Sequence, residues 1–138
     1  MNAGVVYYSK TGNTKKVAEA IGRAAECLVV RALEEKMPEK IDVLFLGAAV
    51  YATYDHGLSP VMIEFINHLD PSDVGKVVLF ATGFSGNAIT IMKGLLEQKG
   101  ISVDPESFWC KGAFFLFSMG HPNLAEIRQA EEFARQRI

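Results

Sequence analysis

The sequence lacks several features that mark whole classes of protein. Only two of its 138 residues are cysteine, Cys27 and Cys110, and their spacing forms no C-x-x-C pair or metal-binding pattern. Neither is followed by arginine at the Cys-x5-Arg distance, which excludes a low-molecular-weight phosphatase. We expect both to pack as small hydrophobic residues.

Long apolar runs are also absent. No stretch approaches the roughly 20 apolar residues needed to span a bilayer, and a strand begins at once, leaving no room for a signal peptide. We therefore expect a cytoplasmic protein with no membrane contact.

Excess charge of either sign is missing too. The formal net charge is -2, the pI is near 5.9, and Lys and Arg are scattered. This balance gives no positive field for nucleic acid. It also predicts only modest charge steering toward a protein partner.

Between an apolar strand and an amphipathic helix lies a short segment rich in hydroxyl groups. Residues Ala3 to Tyr8 read as a buried strand, and Val17, Ala20 and Ile21 recur at helical spacing. Unpaired N–H groups and the dipole at a helix N-terminus favour a bound phosphate. The candidate phosphate-binding residues are Ser9, Lys10, Thr11, Gly12, Asn13 and Thr14.

Glycine is scarce in this turn, which excludes two common nucleotide fingerprints. A P-loop and a Rossmann turn each need more than the single Gly12. The pattern of Ser9, Thr11, Gly12 and Thr14 instead resembles the Ser/Thr-x-Thr-Gly-x-Thr phosphate loop of the flavodoxins. The alternative is a plain polar connection in which Asn13 or Thr14 caps the helix.

Strands and helices alternate along the rest of the chain. Further apolar runs cover Cys27 to Arg31, Asp42 to Ala48 and Lys76 to Ala81. The fifth strand is predicted to start at Ile101, to be interrupted near Pro105, and to resume through Phe108 to Cys110. The connection from Ala32 to Lys40 is predicted to be a short helical turn or irregular.

Helix signals lie between these strands. One helix starts at Ser59-Pro60, one follows Thr82 to Asn87 and stops at Gly100, and the last opens at Pro122-Asn123, where Asn123 and Glu126 form a capping box. In the last helix the residues predicted to be buried are Leu124, Ile127, Ala130, Phe133 and Ala134.

This alternation predicts an α/β fold, a three-layer doubly wound sandwich in one domain spanning 1–138. The five-stranded parallel sheet is expected in the flavodoxin-like order 2-1-3-4-5. Response-regulator receivers share that order but need acidic residues where this chain has Tyr8-Ser9 and Ala48-Ala49. A receiver-type site, in which an acidic side chain accepts a phosphoryl group, is therefore excluded.

Ligands of such sheets bind at the carboxyl ends of the strands, where three loops meet. If the first loop holds a phosphate, Tyr51, Tyr54 and Phe84 in the other two can stack on an aromatic body. The resemblance implies flavin mononucleotide (FMN). The further candidate cofactor-binding residues are Ala49, Val50, Tyr51, Ala52, Tyr54, Thr82, Gly83, Phe84 and Ser85. Alternatively, Tyr51 packs back on the helix that starts at Ser59.

Two other features leave alternatives open. His56 is either a hydrogen-bond donor or proton source near the flavin, or a solvent-facing residue in a polar turn. The apolar run from Ala113 to Met119 is either core or a contact surface at the flavin edge or a dimer interface.

The resemblance implies electron transfer through FMN, with no catalytic side chain. Expected partners are a redox protein or a small-molecule electron acceptor, and the chain is expected to be a monomer or weak homodimer. One alternative is an FMN-dependent NAD(P)H:quinone-type oxidoreductase. The other is a binding module of the same fold with weak flavin affinity.

Overall fold

Five parallel strands form the sheet at the centre of the fold. The computed structural model of the chain describes residues 2–37, 40–50, 57–83, 85–112 and 120–138. The strands are β1 (Ala3–Tyr7), β2 (Leu28–Arg31), β3 (Ile41–Ala49), β4 (Val74–Thr82) and β5 (Phe108–Cys110). Their order is β2-β1-β3-β4-β5, and every pairing is parallel. The predicted α/β class and strand order are confirmed.

Helices connect these strands within the described residues. They are α1 (Asn13–Ala25), α2 (Pro60–His68), α3 (Asn87–Gln98) and α4 (Leu124–Arg137), with a 3-10 turn at Pro71–Asp73. The Ser59 hydroxyl accepts a hydrogen bond from the Val61 N–H at 3.1 Å, which caps α2. Asn123 and Glu126 form the predicted capping box of α4.

The continuous apolar runs of the strands follow from burial on both faces of the sheet. One face packs on α2 and α3 through residues such as Met62 and Met92. The other packs on α1 and α4 through residues such as Ile21 and Ala130. The strands therefore form the middle layer of three.

The burial of one residue differs from the sequence prediction. Leu124 is 65% exposed, so its predicted burial was wrong. It is the first residue of α4, and the helix packs on the core only from Ile127 onward. Cys110 is buried, and Cys27, just before β2, is half-buried and packs against the same core, as predicted for small hydrophobic residues. In the described part of the connection from Ala32 to Lys40 there are turns and no helix, which agrees with the predicted irregular alternative.

A buried carboxylate stabilises the interruption before β5. Val103 bridges to Val77, and the next residue, Asp104, is 8% exposed. Its oxygens lie 2.9 Å from Lys76 Nζ and 3.7 Å from an Arg137 nitrogen, and one accepts the Glu106 N–H at 2.8 Å. Burial raises the pKa of Asp104, but the Glu106 N–H and the two cations outweigh it, so the pKa lies below its ordinary value.

We expect Asp104→Asn to lower the free energy of unfolding at pH 7 by about 1 to 3 kcal/mol. A carboxylate with a depressed folded pKa stabilises the fold above its unfolded pKa, and that contribution is lost as the pH falls through the folded value. The difference between the proteins should therefore shrink below about pH 4. Urea unfolding across this range measures it. Asp73→Asn is the control, because that carboxylate makes no ion pair with a described residue, and an unchanged Asp104 effect at low pH would contradict the assignment.

Candidate functional site

The described ends of the three loops predicted to form the site lie at the carboxyl edge of the sheet. The strand order reverses between β1 and β3, which are neighbours in the sheet. The loops that follow these two strands therefore start on either side of this switch point. The Tyr8 N–H donates to the Gly47 carbonyl at 3.1 Å, which extends the pairing of these strands up to the first loop. The loop that follows β4 leaves from the next strand along the same edge.

Two hydroxyl groups in the first loop accept hydrogen bonds from within the loop. Ser9 Oγ accepts the Gly12 N–H at 2.8 Å, and Thr11 Oγ1 accepts from Asn13 Nδ2 at 2.9 Å. A hydroxyl that accepts in this way keeps its own hydrogen for another partner. Among the described residues, neither hydroxyl donates a hydrogen bond. The loop therefore offers at least two O–H donors to a ligand.

The helix that follows this loop starts at a glycine. Gly12 is the N-cap of α1, with φ of 93°, and no side-chain hydrogen bond caps the helix in the described part of the chain. The alternative in which Asn13 or Thr14 caps this helix is therefore wrong. A Cβ on Gly12 would meet nothing within 4 Å, so its backbone conformation, not crowding, favours glycine here. The uncapped N-terminus adds N–H donors and a positive dipole end.

A second pair of hydroxyl groups joins α1 to β4. Thr14 in the first turn of α1 is 0% exposed, and Thr82 at the end of β4 is 1% exposed. Their Oγ1 atoms are 2.8 Å apart, and either can be the donor. Both residues were candidates on their own, but nothing in the sequence indicates that they contact each other across 68 positions.

The loop after β4 is described apart from Phe84, which lies outside the described residues. The Gly83 N–H donates to the Cys110 carbonyl at 3.1 Å, and Gly83 has φ of 120°. Ser85 Oγ accepts a long hydrogen bond of 3.4 Å from the Asn87 N–H at the start of α3. Thr82, Gly83 and Ser85 thus lie at the predicted edge of the sheet.

The loop after β3 is described only at its two ends. Ala49 ends β3, and Val50 forms an antiparallel bridge with Leu58. Gly57 packs against Val50, since a Cβ on Gly57 would be 2.7 Å from Val50 Cγ1. The other candidates of this loop, Tyr51, Ala52 and Tyr54, lie outside the described residues, as do His56 and the run from 113 to 119.

Two further residues shape the first loop and were missed from the sequence. The Arg31 guanidinium donates to the Ser9 carbonyl at 3.4 Å, lies 5.1 Å from the Tyr8 ring centroid, and pairs with Glu34 at 2.8 Å. Gly112 packs on Asn13, because a Cβ there would be 2.8 Å from Asn13 Nδ2. In the sequence, nothing except its place at the end of a predicted strand indicates that Arg31 contacts the first loop.

A cavity of about 640 Å³ opens beside the first loop, toward β2. It is lined by Tyr7, Ser9, Gly12, Lys15, Glu19, Val29, Arg31, Glu34 and Glu35. Its three carboxylates outnumber its two cations, and Arg31 already pairs with Glu34. An anion is therefore better accommodated within the loop than in this cavity.

The titratable groups at and after β5 form contacts that stabilise the fold. Glu126 accepts hydrogen bonds from the Lys111 and Asn123 N–H groups and contacts His121 Nδ1. Burial raises the pKa of Glu126, but these partners outweigh it and leave the pKa below its ordinary value. Burial, with a smaller effect of Glu126, raises the pKa of the Cys110 thiol to about 12. That thiol therefore stays protonated near neutral pH and is a poor nucleophile.

The fold and this edge of the sheet define a doubly wound α/β protein with three loops at the topological switch point. No protein-family model and no curated protein matches the sequence. Solved structures do match. A flavodoxin from the domain Archaea has a TM-score of 0.79 and 20% identity, covering 99% of this chain and 95% of that one.

The two-electron reduced flavodoxin of Megasphaera elsdenii is also similar, with a TM-score of 0.69 and 26% identity over 97% of this chain and 98% of its own. An NADH:FMN oxidoreductase in its apo form gives a TM-score of 0.68 at 13% identity, covering 100% and 90% of the two chains. The chain therefore has the flavodoxin fold. Across the described ranges, no helix combines the length and apolar character that crossing a membrane requires.

Proposed function

We propose that this chain binds FMN and transfers electrons through it, acting as one domain. The observation that carries the proposal is the hydrogen-bond arrangement of the first loop. Ser9 and Thr11 each accept a bond within the loop and keep a hydrogen to donate. A phosphate dianion is a ligand with several acceptor oxygens and no hydrogen, so its chemistry complements these donors.

The residues present fit the phosphate of FMN. Gly12 gives a backbone turn without a side chain, and the N-terminus of α1 is uncapped. With Lys10, Asn13 and Thr14, these residues would surround the phosphate. The ring would lie between the loops after β3 and β4, held by Ala49, Val50, Gly83 and Ser85. We propose further ring contacts from Tyr51, Ala52, Tyr54 and Phe84.

Bound FMN would supply the uptake and release of electrons, and the protein would bind and orient it. The flavodoxin fold of the matched structures supports this proposal, but an NADH:FMN oxidoreductase has the same fold. Fold alone therefore does not separate a carrier from an enzyme. We infer that a redox protein or a small molecule accepts the electrons, and that the net charge of -2 gives this encounter a weak salt dependence.

The proposal is tested by comparing two ligands that differ only in the phosphate. We expect the fluorescence of FMN to fall as apoprotein is added. FMN should bind at least about 100-fold more tightly than riboflavin, because riboflavin lacks the phosphate and the charge-assisted hydrogen bonds that the phosphate would accept. Equal affinities would contradict the phosphate site. Undetectable binding of both would favour the binding-module alternative.

The reductase alternative needs a separate experiment. The FMN-loaded protein is mixed with NADH or NADPH and a soluble quinone, and absorbance at 340 nm is followed. We expect a rate no greater than that of unbound FMN, since we propose a carrier. Catalytic oxidation of the nicotinamide would instead identify an NAD(P)H:quinone-type oxidoreductase.

A further inference from the structure

We propose that Thr82 is a positioning residue that holds the Thr14 hydroxyl as a hydrogen-bond donor to the phosphate. This inference rests on the proposed function. It gives Thr82 a different role from the direct flavin contact expected from its place at the end of β4. Thr82 would act on the ligand only through Thr14.

Both hydroxyl groups are carried by rigid elements. Thr82 is the last residue of β4, and its backbone is paired with Ala49 of β3 and Cys110 of β5. Thr14 lies in the first turn of a 13-residue helix. Threonine also has few side-chain rotamers, so little freedom is lost in holding the 2.8 Å contact. The pair therefore fixes the start of α1 relative to the end of β4.

The number of hydroxyl hydrogens in the pair determines which threonine must donate to the other when a ligand is bound. Two hydroxyl groups carry two hydrogens, and one of these forms the bond between them. If Thr82 donates to Thr14, the Thr14 hydrogen remains for a ligand, whereas the opposite direction consumes it. A phosphate oxygen next to Thr14 can only accept, so it selects the first direction. Thr82 then donates to Thr14, and Thr14 donates to the phosphate. Two hydrogen bonds in series of this kind strengthen each other.

The position of the pair supports this direction. Thr14 and Thr82 are almost fully buried, so the hydrogen bond between them is shielded from solvent. Thr14 follows directly after Gly12 and Asn13, where the phosphate would lie. Among the described residues, neither side chain has another hydrogen-bond partner. The pair is thus matched to one additional acceptor.

The experiment compares FMN and riboflavin affinities for the full chain and for Thr82→Val, Thr82→Ser, Thr14→Val and the double valine variant. We expect Thr82→Val to raise the dissociation constant for FMN about fivefold to twentyfold. Its affinity for riboflavin should change less than about twofold, since riboflavin lacks the phosphate. Thr82→Ser keeps the hydroxyl and should restore FMN binding.

The double variant tests whether Thr82 acts through Thr14. Once Thr14 lacks its hydroxyl, Thr82→Val should cause little further loss of FMN affinity, which is a non-additive result. Thermal unfolding of each apoprotein shows whether the variant is folded at the assay temperature. If Thr82→Val is unfolded there, Thr82→Cys replaces it, because a thiol is a much weaker donor at the same place.

Each outcome supports or overturns the inference. If the unmodified chain does not prefer FMN to riboflavin, the proposed function fails and the inference fails with it. If it does prefer FMN and Thr82→Val keeps the full preference, only the inference fails. Equal losses for FMN and riboflavin would mean that Thr82 contacts the ring or only supports the fold. Additive effects in the double variant would also overturn it.

Discussion

Replacing Gly47 with alanine is expected to lower the free energy of unfolding by about 2 to 3 kcal/mol, which is the largest effect on stability that we expect from a single methyl group here. Gly47 lies in β3 directly opposite Phe80 of β4. A Cβ on Gly47 would overlap the Phe80 ring, which is fully buried and fills the space where a side chain would be. Thermal unfolding should show a fall in Tm of roughly 10 °C.

Gly94→Ala is the matched control for this prediction. Gly94 lies within α3, and a Cβ there would meet nothing within 4 Å. The same substitution should therefore stabilise the protein by about 0.5 to 1 kcal/mol, since alanine favours the helix and restricts the unfolded chain.

A second-site change tests the cause of the Gly47 effect. Phe80→Leu removes the ring that the new methyl group would meet, so the double variant should be more stable than the sum of the single effects predicts. Additive losses would show that crowding by Phe80 is not the reason. Because the Gly47 carbonyl accepts the Tyr8 N–H, we also expect Gly47→Ala to disturb the entry to the first loop.

The fold could be predicted because its signals are local. Continuous apolar strands indicate a sheet covered on both faces, and Ser59 with Pro60, or Asn123 with Glu126, mark helix starts within four residues. The meeting of three loops at one edge then follows from parallel strands. Leu124 shows the limit of such reasoning, because helical spacing does not say where a helix begins to contact the core.

The contacts that shape the candidate site were not predictable in this way. The bonds between Thr14 and Thr82, and between Arg31 and Ser9, join residues 68 and 22 positions apart. They depend on how α1 and β2 are placed against the ends of other strands. Residue types indicated which side chains had the right chemistry, whereas the packing of helices on the sheet determined which of them became partners.

The largest effect on binding is expected from Thr11→Ala, which should weaken FMN binding by about 1 to 3 kcal/mol. In the loop, Thr11 Oγ1 accepts from Asn13 Nδ2, so its own hydrogen would be available to the phosphate. Alanine removes that donor and also removes the oxygen that accepts the hydrogen bond from Asn13 Nδ2. Two favourable interactions are thus lost at one position, and fluorescence titration with FMN measures the sum.

Thr11→Ser separates the hydroxyl from the methyl group. Serine can accept from Asn13 and donate to the phosphate in the same way, so its FMN affinity should stay within about threefold of the unmodified chain. Riboflavin affinity should not change in either variant, because we propose that the ring lies between the other two loops. If Thr11→Ala binds FMN as tightly as the unmodified protein, Thr11 has no role in holding the phosphate, and the donors must then be Ser9, the N-terminus of α1 and the hydroxyl pair of Thr14 and Thr82.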